Sequence, residues 1–312
     1  MGGALPDCGD FIVYLGGKLM NTVTCLTKFA PTKLIRTTVL SAAIIAGTLA
    51  STLAQSAKDI LPEPYKSKGE ITVAMVLDYP PYSWIDEAGK TTGLEVDVFN
   101  AVAGKLGIKA NIVNAKWEGL ITGVGGGRFD AGAGGTSDLL ERQKLVTFAD
   151  YATSSNAIII QAANKDKYAD IDALCGSSIG VLKGTDTVKV GEFAVKNCAD
   201  KGKPALTISY YNSVPDADLA LKSGRDAAEV VSTEQAAFIL SKGHQDWMIL
   251  KAGVGDKVPM GPYTSVDKPE LAKAFVAALA ELKADGTLET IARKYGLEAS
   301  LMEKPEINST KN

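Results

Sequence analysis

Short β-branched segments alternate with segments of helical spacing along most of this chain, and this alternation restricts its possible folds more than any other feature. Residues 71–76 have the composition of a strand, and apolar residues recur at helical spacing over residues 95–106. A second set begins with a strand over residues 178–182 and a helix over residues 188–194. Strands that alternate with helices indicate an α/β fold with mostly parallel sheets. Two successive sets predict two lobes.

The first 57 residues have the order of charge and hydropathy that is typical of a secretory signal. Basic residues come first: Lys28, Lys33 and Arg36. An apolar run over residues 38–50 and small residues over 52–57 follow. We expect residues 1–57 to be an N-terminal extension and a signal peptide, cleaved after Ala54 or Ala57, and the mature protein to be periplasmic. A retained N-terminal anchor is the alternative, although the run is short for a membrane span.

Composition argues against several functional classes. The formal net charge is −3, so no basic surface for nucleic acid is expected. The single histidine, His244, argues against a histidine-rich metal site and a serine–histidine triad. We therefore expect no metal and no cofactor. Residues 58–69 are polar and contain two prolines, which predicts a flexible start to the mature chain.

The four cysteines fall into two pairs. Cys8 and Cys25 lie in the segment that is expected to be removed, and Cys175 and Cys198 remain. Export to an oxidising compartment favours a disulfide between the remaining two. Two separate buried thiols are the alternative.

A glycine-rich stretch over residues 129–137, followed by Arg142, suits an anion, most simply a carboxylate. Glycines such as Gly134 and Gly135 let amide groups approach a ligand closely, and Ser137 adds a hydroxyl. The planar guanidinium of Arg142 matches two carboxylate oxygens. The alternative is a strand that ends in a glycine-rich turn, with Arg142 in solvent on a helix.

Several short motifs occur in an order that resembles a known family. They are Tyr-Pro-Pro-Tyr at 79–82, Gly-Leu-Glu-Val-Asp at 93–97, Trp-Glu-Gly-Leu-Ile at 117–121, Gly-Arg-Phe-Asp at 127–130, Glu-Arg at 141–142, Phe-Ala-Asp-Tyr at 148–151 and Ala-Asp-Gly-Thr-Leu at 284–288. From about residue 69 to residue 296, the chain resembles the extracytoplasmic solute-binding proteins of family 3. These proteins deliver polar amino acids and related solutes to ABC transporters.

The resemblance implies a two-lobe periplasmic binding protein fold, class II-like, with two crossing hinge segments. Lobe one would comprise residues 66–160 and 260–300, lobe two residues 161–259, and residues 301–312 would be a tail. A small carboxylate-bearing ligand would bind in the cleft as the lobes close by hinge motion. The partner would be an ABC permease in the inner membrane, and the protein would be a monomer. Leu-Cys-Gly at 174–176 with Cys198 resembles a subgroup that has a disulfide in lobe two.

The resemblance also assigns roles to individual residues. Arg142 is similar to the arginine that binds the α-carboxylate of the ligand, with Gly135 and Ser137 sharing that anion. Tyr79 resembles the aromatic residue that stacks on the ligand side chain, and Trp117 would line the same pocket. Tyr82 and Trp84 are expected to be packing residues. Thr185 and Asp186 occupy the turn that offers amide groups to the carboxylate from lobe two.

Two positions depart from the family pattern. Asp186 stands where the family has a second threonine, and Ser232 stands where it has an aspartate that pairs with the ligand α-ammonium. A buried ammonium without a counter-charge would be costly. We hypothesise that Asp186 supplies the missing charge; the rival hypothesis is a carboxylate ligand that is not an amino acid. Asp186 could instead only cap the following helix.

Two functions from different classes fit this fold. The first is a transport receptor without catalysis. The second is an exported cyclohexadienyl-type dehydratase, which would need a general acid in the cleft. Motif position places Glu95 and Glu118 near the cleft. We expect the first function.

Overall fold

The computed structural model describes residues 56–242 and 246–311. The expected signal segment, residues 1–57, lies outside this part except for its last two residues, so the signal peptide and its cleavage site stay predictions. Cys8, Cys25 and His244 also lie outside it. Within the described ranges, no helix has the length and apolar character needed to cross a membrane.

Helices and strands alternate through the described chain, as the sequence predicts. The helices are α1 (Ala57–Ile60), α2 (Glu63–Lys68), α3 (Leu94–Leu106), α4 (Leu120–Gly125), α5 (Thr187–Asp200), α6 (Val214–Ser223), α7 (Thr233–Ser241), α8 (Pro269–Ala284) and α9 (Thr287–Lys294). The strands are β1 (Glu70–Met75), β2 (Asp78–Tyr79), β3 (Ser83–Ile85), β4 (Thr91–Thr92), β5 (Lys109–Asn114), β6 (Ala131–Gly132), β7 (Val146–Gln161), β8 (Ser178–Leu182), β9 (Thr207–Tyr211), β10 (Ala228–Ser232), β11 (Trp247–Met260), β12 (Tyr263–Ser265) and β13 (Leu301–Ile307).

The strands form two sheet regions that share β7. In lobe one the order is β5-β1-β6-β12-β7, and β1 is parallel to both β5 and β6. In lobe two the order is β7-β10-β8-β9, with parallel pairing among β10, β8 and β9. In the large sheet, every antiparallel pair involves β7 or β12. β2, β3 and β4 form a separate three-stranded antiparallel sheet. The α/β class with two lobes is therefore confirmed.

Two long antiparallel strands connect the lobes. β7 pairs with β12 in lobe one through Phe148 and with β10 in lobe two through Ile158. β11 runs back beside β7, from the Trp247–Gln161 pair to the Met260–Ala152 pair, and its register shifts between Ile249 and Val258. These are the two crossing segments that the resemblance implies.

Buried side chains form separate cores on the two sides of the crossing strands. The larger core of lobe one surrounds Phe99 and Phe275, whose ring centroids lie 5.6 Å apart. The core of lobe two surrounds Ile158, Val181 and the disulfide residue Cys198. Each lobe thus buries its own apolar surface, and β7 and β11 run between the two. The boundaries between lobe one and lobe two, which we place between residues 160 and 161 and between residues 259 and 260, remain a prediction.

Both ends of the mature chain are more ordered than the sequence indicates. Residues 58–69 were expected to be flexible, but they form α1 and α2, because Leu61 is buried in lobe one and the Ala57 N–H donates to Glu281 Oε1 at 2.7 Å. The expected tail also contains a strand. β13 pairs with β7, from Leu301 opposite Ala152 to Ile307 opposite Ala149.

The cysteine pairing is confirmed. Cys175 and Cys198 form a disulfide with a sequence separation of 23 residues. Cys175 follows a short 3-10 helix, and Cys198 lies on the buried face of α5. The alternative of two separate thiols is therefore wrong.

Candidate functional site

A cavity of about 690 Å³ lies between the two lobes and beside the crossing strands. Every residue that the sequence predicts to bind the ligand lines it: Tyr79, Trp117, Gly134, Gly135, Ser137, Arg142, Thr185, Asp186 and Ser232. The volume falls within the usual range for pockets that hold small ligands. The folded chain thus brings these residues together, although their role in binding stays a prediction.

The glycine loop that follows β6, residues 133–137, packs on buried side chains of lobe one. Gly135 has φ 73°, and a Cβ atom there would lie 2.6 Å from Cγ of Tyr82, so only glycine fits. The Gly134 N–H donates to Glu95 Oε2 at 3.2 Å, and the Tyr151 hydroxyl donates to Glu95 Oε1. Burial raises the pKa of Glu95, while these hydrogen bonds oppose the shift. The Gly134 amide is therefore used by Glu95 rather than directed at a ligand.

Arg142 connects the lobes at this loop. Its Nη1 donates to the Ser137 carbonyl at 2.7 Å, and its Nη2 donates to the Gly184 carbonyl of lobe two, also at 2.7 Å. The guanidinium lies 4.9 Å from the centroid of the Trp117 ring, a cation–π distance. Only 6% of Arg142 is exposed, so the alternative of a solvated arginine on a helix is wrong. Burial lowers the pKa of Arg142, but an arginine stays charged in proteins.

Trp117 makes a second direct link between the lobes. Its indole N–H donates to the Lys183 carbonyl at 3.0 Å. Lys183 and Gly184 belong to the turn that leads from β8 into α5. The turn therefore uses two successive carbonyl groups to hold lobe one, which places Thr185 and Asp186 against the cavity.

Asp186 occupies the N-cap position of α5, but its side chain does not cap the helix. Instead, its carboxylate accepts from the Ser137 hydroxyl at 3.1 Å and from Asn156 Nδ2 at 2.8 Å. The neighbouring Thr185 hydroxyl donates to the Leu182 carbonyl at 2.8 Å, so it supports the turn. Asp186 is thus directed into the cleft, at the end where Arg142 lies.

Ser232 begins α7. Its hydroxyl accepts from the Gln235 N–H at 3.1 Å, the usual N-cap contact. Burial raises the pKa of Tyr79, and a hydrogen bond with Ser232 opposes that shift, so the two hydroxyls meet inside the cavity.

Tyr82 is buried and donates to Glu234 Oε2 at 3.0 Å, and Trp84 packs 5.2 Å from Phe238. Both have the packing role that was expected.

The sequence interpretation missed several cavity residues. Asn156 on β7 donates to Asp186, and Glu229 on β10 is a buried carboxylate between apolar neighbours. A charged residue inside the otherwise apolar run Ala-Ala-Glu-Val-Val was the signal for Glu229. By contrast, Glu95 was expected near the cleft as a possible acid, but it lies beneath the glycine loop and does not line the cavity. Glu118 lines the cavity at an exposed position.

Within the described ranges, no group of three or more His, Cys, Asp or Glu side chains could hold a metal ion. The polar groups of the cavity are instead hydroxyls, amides, the Arg142 guanidinium, the Lys116 ammonium and several carboxylates. This set can bind a small charged solute through hydrogen bonds and opposite charges.

Comparison with known proteins decides the family. Residues 71–298 match the bacterial extracellular solute-binding proteins, family 3. The chain belongs to that family. Among its relatives, the L-cystine-binding protein TcyJ of Escherichia coli strain K12 is 26% identical over 258 residues, which cover 82% of this chain and 92% of TcyJ. The lysine/arginine/ornithine-binding periplasmic protein of the same strain is 30% identical over 226 residues, which cover 70% of this chain and 84% of that protein.

Solved structures agree with this membership of family 3. A structure of an ancestral arginine-binding protein bound to arginine matches this one with a TM-score of 0.64 at 26% identity. The match covers 73% of this chain and 98% of that one. The two-lobe fold of this family 3 protein is therefore shared along nearly the whole length of the ancestral protein.

Proposed function

We propose that this family 3 protein captures an amino acid, or a closely related carboxylate, in its interlobe cleft and delivers it to the permease of an ABC importer. In this proposal the protein is a monomer that is exported to the periplasm by a cleaved signal peptide, and it performs no catalysis. The relatives named above bind amino acids, as their names state. That observation supports the ligand class.

The observation that carries the proposal is the position of Arg142. It is the buried cation that donates to lobe one at Ser137 and to lobe two at Gly184. A guanidinium has five N–H donors, so Arg142 retains donors for a ligand carboxylate after these two contacts. A carboxylate bound there would be held by a group that both lobes share, which favours the closed state.

Closure itself would use β7 and β11. Because both strands run from one lobe into the other, small changes in their backbone angles would rotate one lobe relative to the other. The register shifts in β11 between Ile249 and Val258 are the natural place for that bend. Closing would exclude water from Arg142 and strengthen its hydrogen bonds to the ligand.

Titration calorimetry of the purified mature chain against the common L-amino acids, and against matched keto and hydroxy acids, tests this proposal. We expect at least one amino acid to bind, and Arg142→Gln to weaken it by about a hundredfold, as expected when a buried charged contact is lost. Arg128→Gln is the matched control, since Arg128 is exposed and lies 5.0 Å from the Phe129 ring centroid outside the cavity. Binding of keto acids alone would contradict the amino-acid assignment.

A direct assay tests the absence of catalysis. Incubation with prephenate and with arogenate should give no dehydrated product above the level of the Arg142→Gln variant. Product formation by the wild-type protein would favour the dehydratase alternative. Mass spectrometry of the protein recovered from the periplasm should give a chain that starts at residue 55 or 58, as cleavage after Ala54 or Ala57 requires.

A further inference from the structure

Acidic side chains outnumber basic ones along the wall of the interlobe cavity. The basic residues are Lys116 and Arg142, whereas the acidic residues are Asp78, Glu118, Asp186, Asp216 and Glu229. Asp186 is one of the negative charges that act on Arg142. Asp78, Asp216 and Glu229 form another group, which we name the acidic group. Its members lie on β2, α6 and β10, and α6 contacts both strands.

Glu229 is the most deeply placed member of the acidic group. Only 2% of the residue is exposed, whereas Asp78 and Asp216 are exposed at the edge of the cavity. Its strand neighbours Ala228 and Val230 are buried and apolar. The Glu229 carboxyl makes its hydrogen bond with the carboxyl of Asp218 on α6, which requires a proton between the two groups. Two buried carboxyl groups that share a proton call for a specific explanation.

No basic residue of the described part of the chain pairs with the acidic group. None of the ion pairs within residues 56–242 and 246–311 includes a member of the acidic group or the adjacent Asp218. The hydrogen bond of Asp218 is with another acid, Glu229, and not with a base. Burial raises the pKa of Glu229, and the negative charge of Asp218 raises it further. The carboxyl groups therefore face one another, with no positive charge between them.

We propose that the acidic group receives a positively charged end of the ligand, so that the protein selects carboxylates that carry a guanidinium or ammonium group on a long side chain. This inference rests on the proposed function, which places the ligand carboxylate at Arg142. A cation beside Glu229 would replace the proton that Glu229 shares with Asp218 and form charge-assisted hydrogen bonds with the ionised carboxylate. The cavity volume of about 690 Å³ leaves room for a side chain that reaches from one charged region to the other.

Pairs of ligands that differ only in charge test the inference by calorimetry. L-arginine is compared with its neutral counterpart L-citrulline, and L-lysine with L-norleucine. We expect the cationic member of a pair to bind at least about tenfold more tightly. Equal binding of the two members, or tighter binding of the neutral one, overturns the inference.

A charge-removing variant assigns the preference to the acidic group. Glu229→Gln keeps the shape of the side chain and should weaken the cationic ligand by about tenfold or more, while the neutral ligand changes by less than about threefold. Glu192→Gln, on the exposed face of α5, is the control and should change neither. An unchanged preference in Glu229→Gln contradicts the inference. If that variant does not fold, Asp78→Asn at the exposed edge of the cavity replaces it. We expect Asp78→Asn also to weaken the cationic ligand more than the neutral one.

Proton release provides an independent readout. Glu229 faces Asp218 on α6 and Asp226 before β10. A bound cation should lower the pKa of Glu229 in these surroundings. Binding of a cationic ligand should therefore release protons. Calorimetry in two buffers of different ionisation enthalpy measures that release. Release by the wild-type protein that is reduced in Glu229→Gln supports the inference. No release, or the same release in both proteins, contradicts it.

The outcomes separate this inference from the proposed function. Binding of neutral or acidic amino acids without cationic ones overturns the inference and leaves the function standing. Binding of agmatine, the decarboxylated form of arginine, in place of every amino acid supports the cation site and overturns the amino-acid function. A folded protein that binds none of these compounds contradicts both.

Discussion

The Ser137 hydroxyl in lobe one donates a hydrogen bond to Asp186 Oδ1 in lobe two, across 3.1 Å of the cleft. A carboxylate of the protein thus uses a hydroxyl that was expected to bind the carboxylate of the ligand. Asn156 on the crossing strand β7 also donates to Asp186, at 2.8 Å. The Asp186 carboxylate therefore lies where it can interact with a charged group of a ligand bound beside Arg142.

Replacement of Asp186 by asparagine tests whether it supplies the charge that Ser232 lacks. If Asp186 pairs with the ligand ammonium, Asp186→Asn should weaken binding of an amino acid by about tenfold or more. Calorimetry measures the change, with Asp166→Asn on the exposed surface of lobe two as the control. Unchanged affinity for the amino acid would show that Asp186 does not replace the family aspartate.

An acid in place of Ser232, at the start of α7, should strengthen the binding of an amino acid. Aspartate and asparagine both cap helices well, so Ser232→Asp and Ser232→Asn should keep the contact with the Gln235 N–H. We expect Ser232→Asp to tighten binding of an amino acid by about tenfold, because the added charge faces the cavity, and Ser232→Asn to leave it nearly unchanged. An equal gain in both variants would mean that charge is not the cause.

The disulfide should stabilise lobe two without affecting the ligand site. Replacing Cys175 and Cys198 together by serine should lower the free energy of unfolding by roughly 3 kcal/mol, from the loop-entropy model. Urea unfolding of the ligand-free protein measures this loss, and reduced wild-type protein should unfold at a similar urea concentration. Ligand affinity should remain the same, since neither cysteine lines the cavity. A large loss of affinity would place the bridge in the binding mechanism.

A buried pair of carboxyl groups in lobe one should make stability depend on pH. Burial, together with the nearby Asp138, raises the pKa of Asp150 from 3.8 to about 8. The folded chain therefore binds this proton more tightly than the unfolded chain does. The stabilising contribution of Asp150 is complete below about pH 4 and is lost as the pH rises to about 8.

Asp150→Asn mimics the protonated form and should flatten the fall in the free energy of unfolding between these pH values. Urea unfolding at several pH values compares the variant with the wild-type protein. The substitution keeps an oxygen that can accept from the Ser309 N–H, which lies 2.7 Å from Asp150 Oδ2. An identical pH dependence in the two proteins would show that Asp150 is ionised throughout the range.

The sequence predicts the elements with strong local patterns and the residues that belong to ordered motifs. The strand predicted over residues 71–76 differs from β1 by one residue at each end, and the helix predicted over residues 95–106 differs from α3 by one residue at its start. It does not predict β11, because glycine, proline and charged residues interrupt the apolar pattern of that strand, which is held by pairing with β7. α1 is also missed, since four residues have little helical stability without the packing of Ala57 and Leu61 on lobe one.

The same distinction applies to the site. Motif order places Arg142, Ser137 and Tyr79 at one cavity, because each belongs to a recognisable local pattern. The direction of the Asp186 carboxylate depends on Asn156 and Ser137, which lie far from it in sequence. The sequence marks Glu229 as a charge within an apolar run, but its position beside the cavity follows only from the tertiary structure. Contacts of this kind require the tertiary structure.

The course of β7 through both lobes determines the order in which the protein can be completed during synthesis and export. Lobe two is built from one continuous segment, whereas lobe one needs β12, α8, α9 and β13 from the far end of the chain. A nascent chain that lacks residues 263–307 can thus form the core of lobe two, but it leaves the lobe-one part of β7 without its partners. Binding activity should therefore arise as the last step of folding, because the cleft is complete only when both lobes have formed.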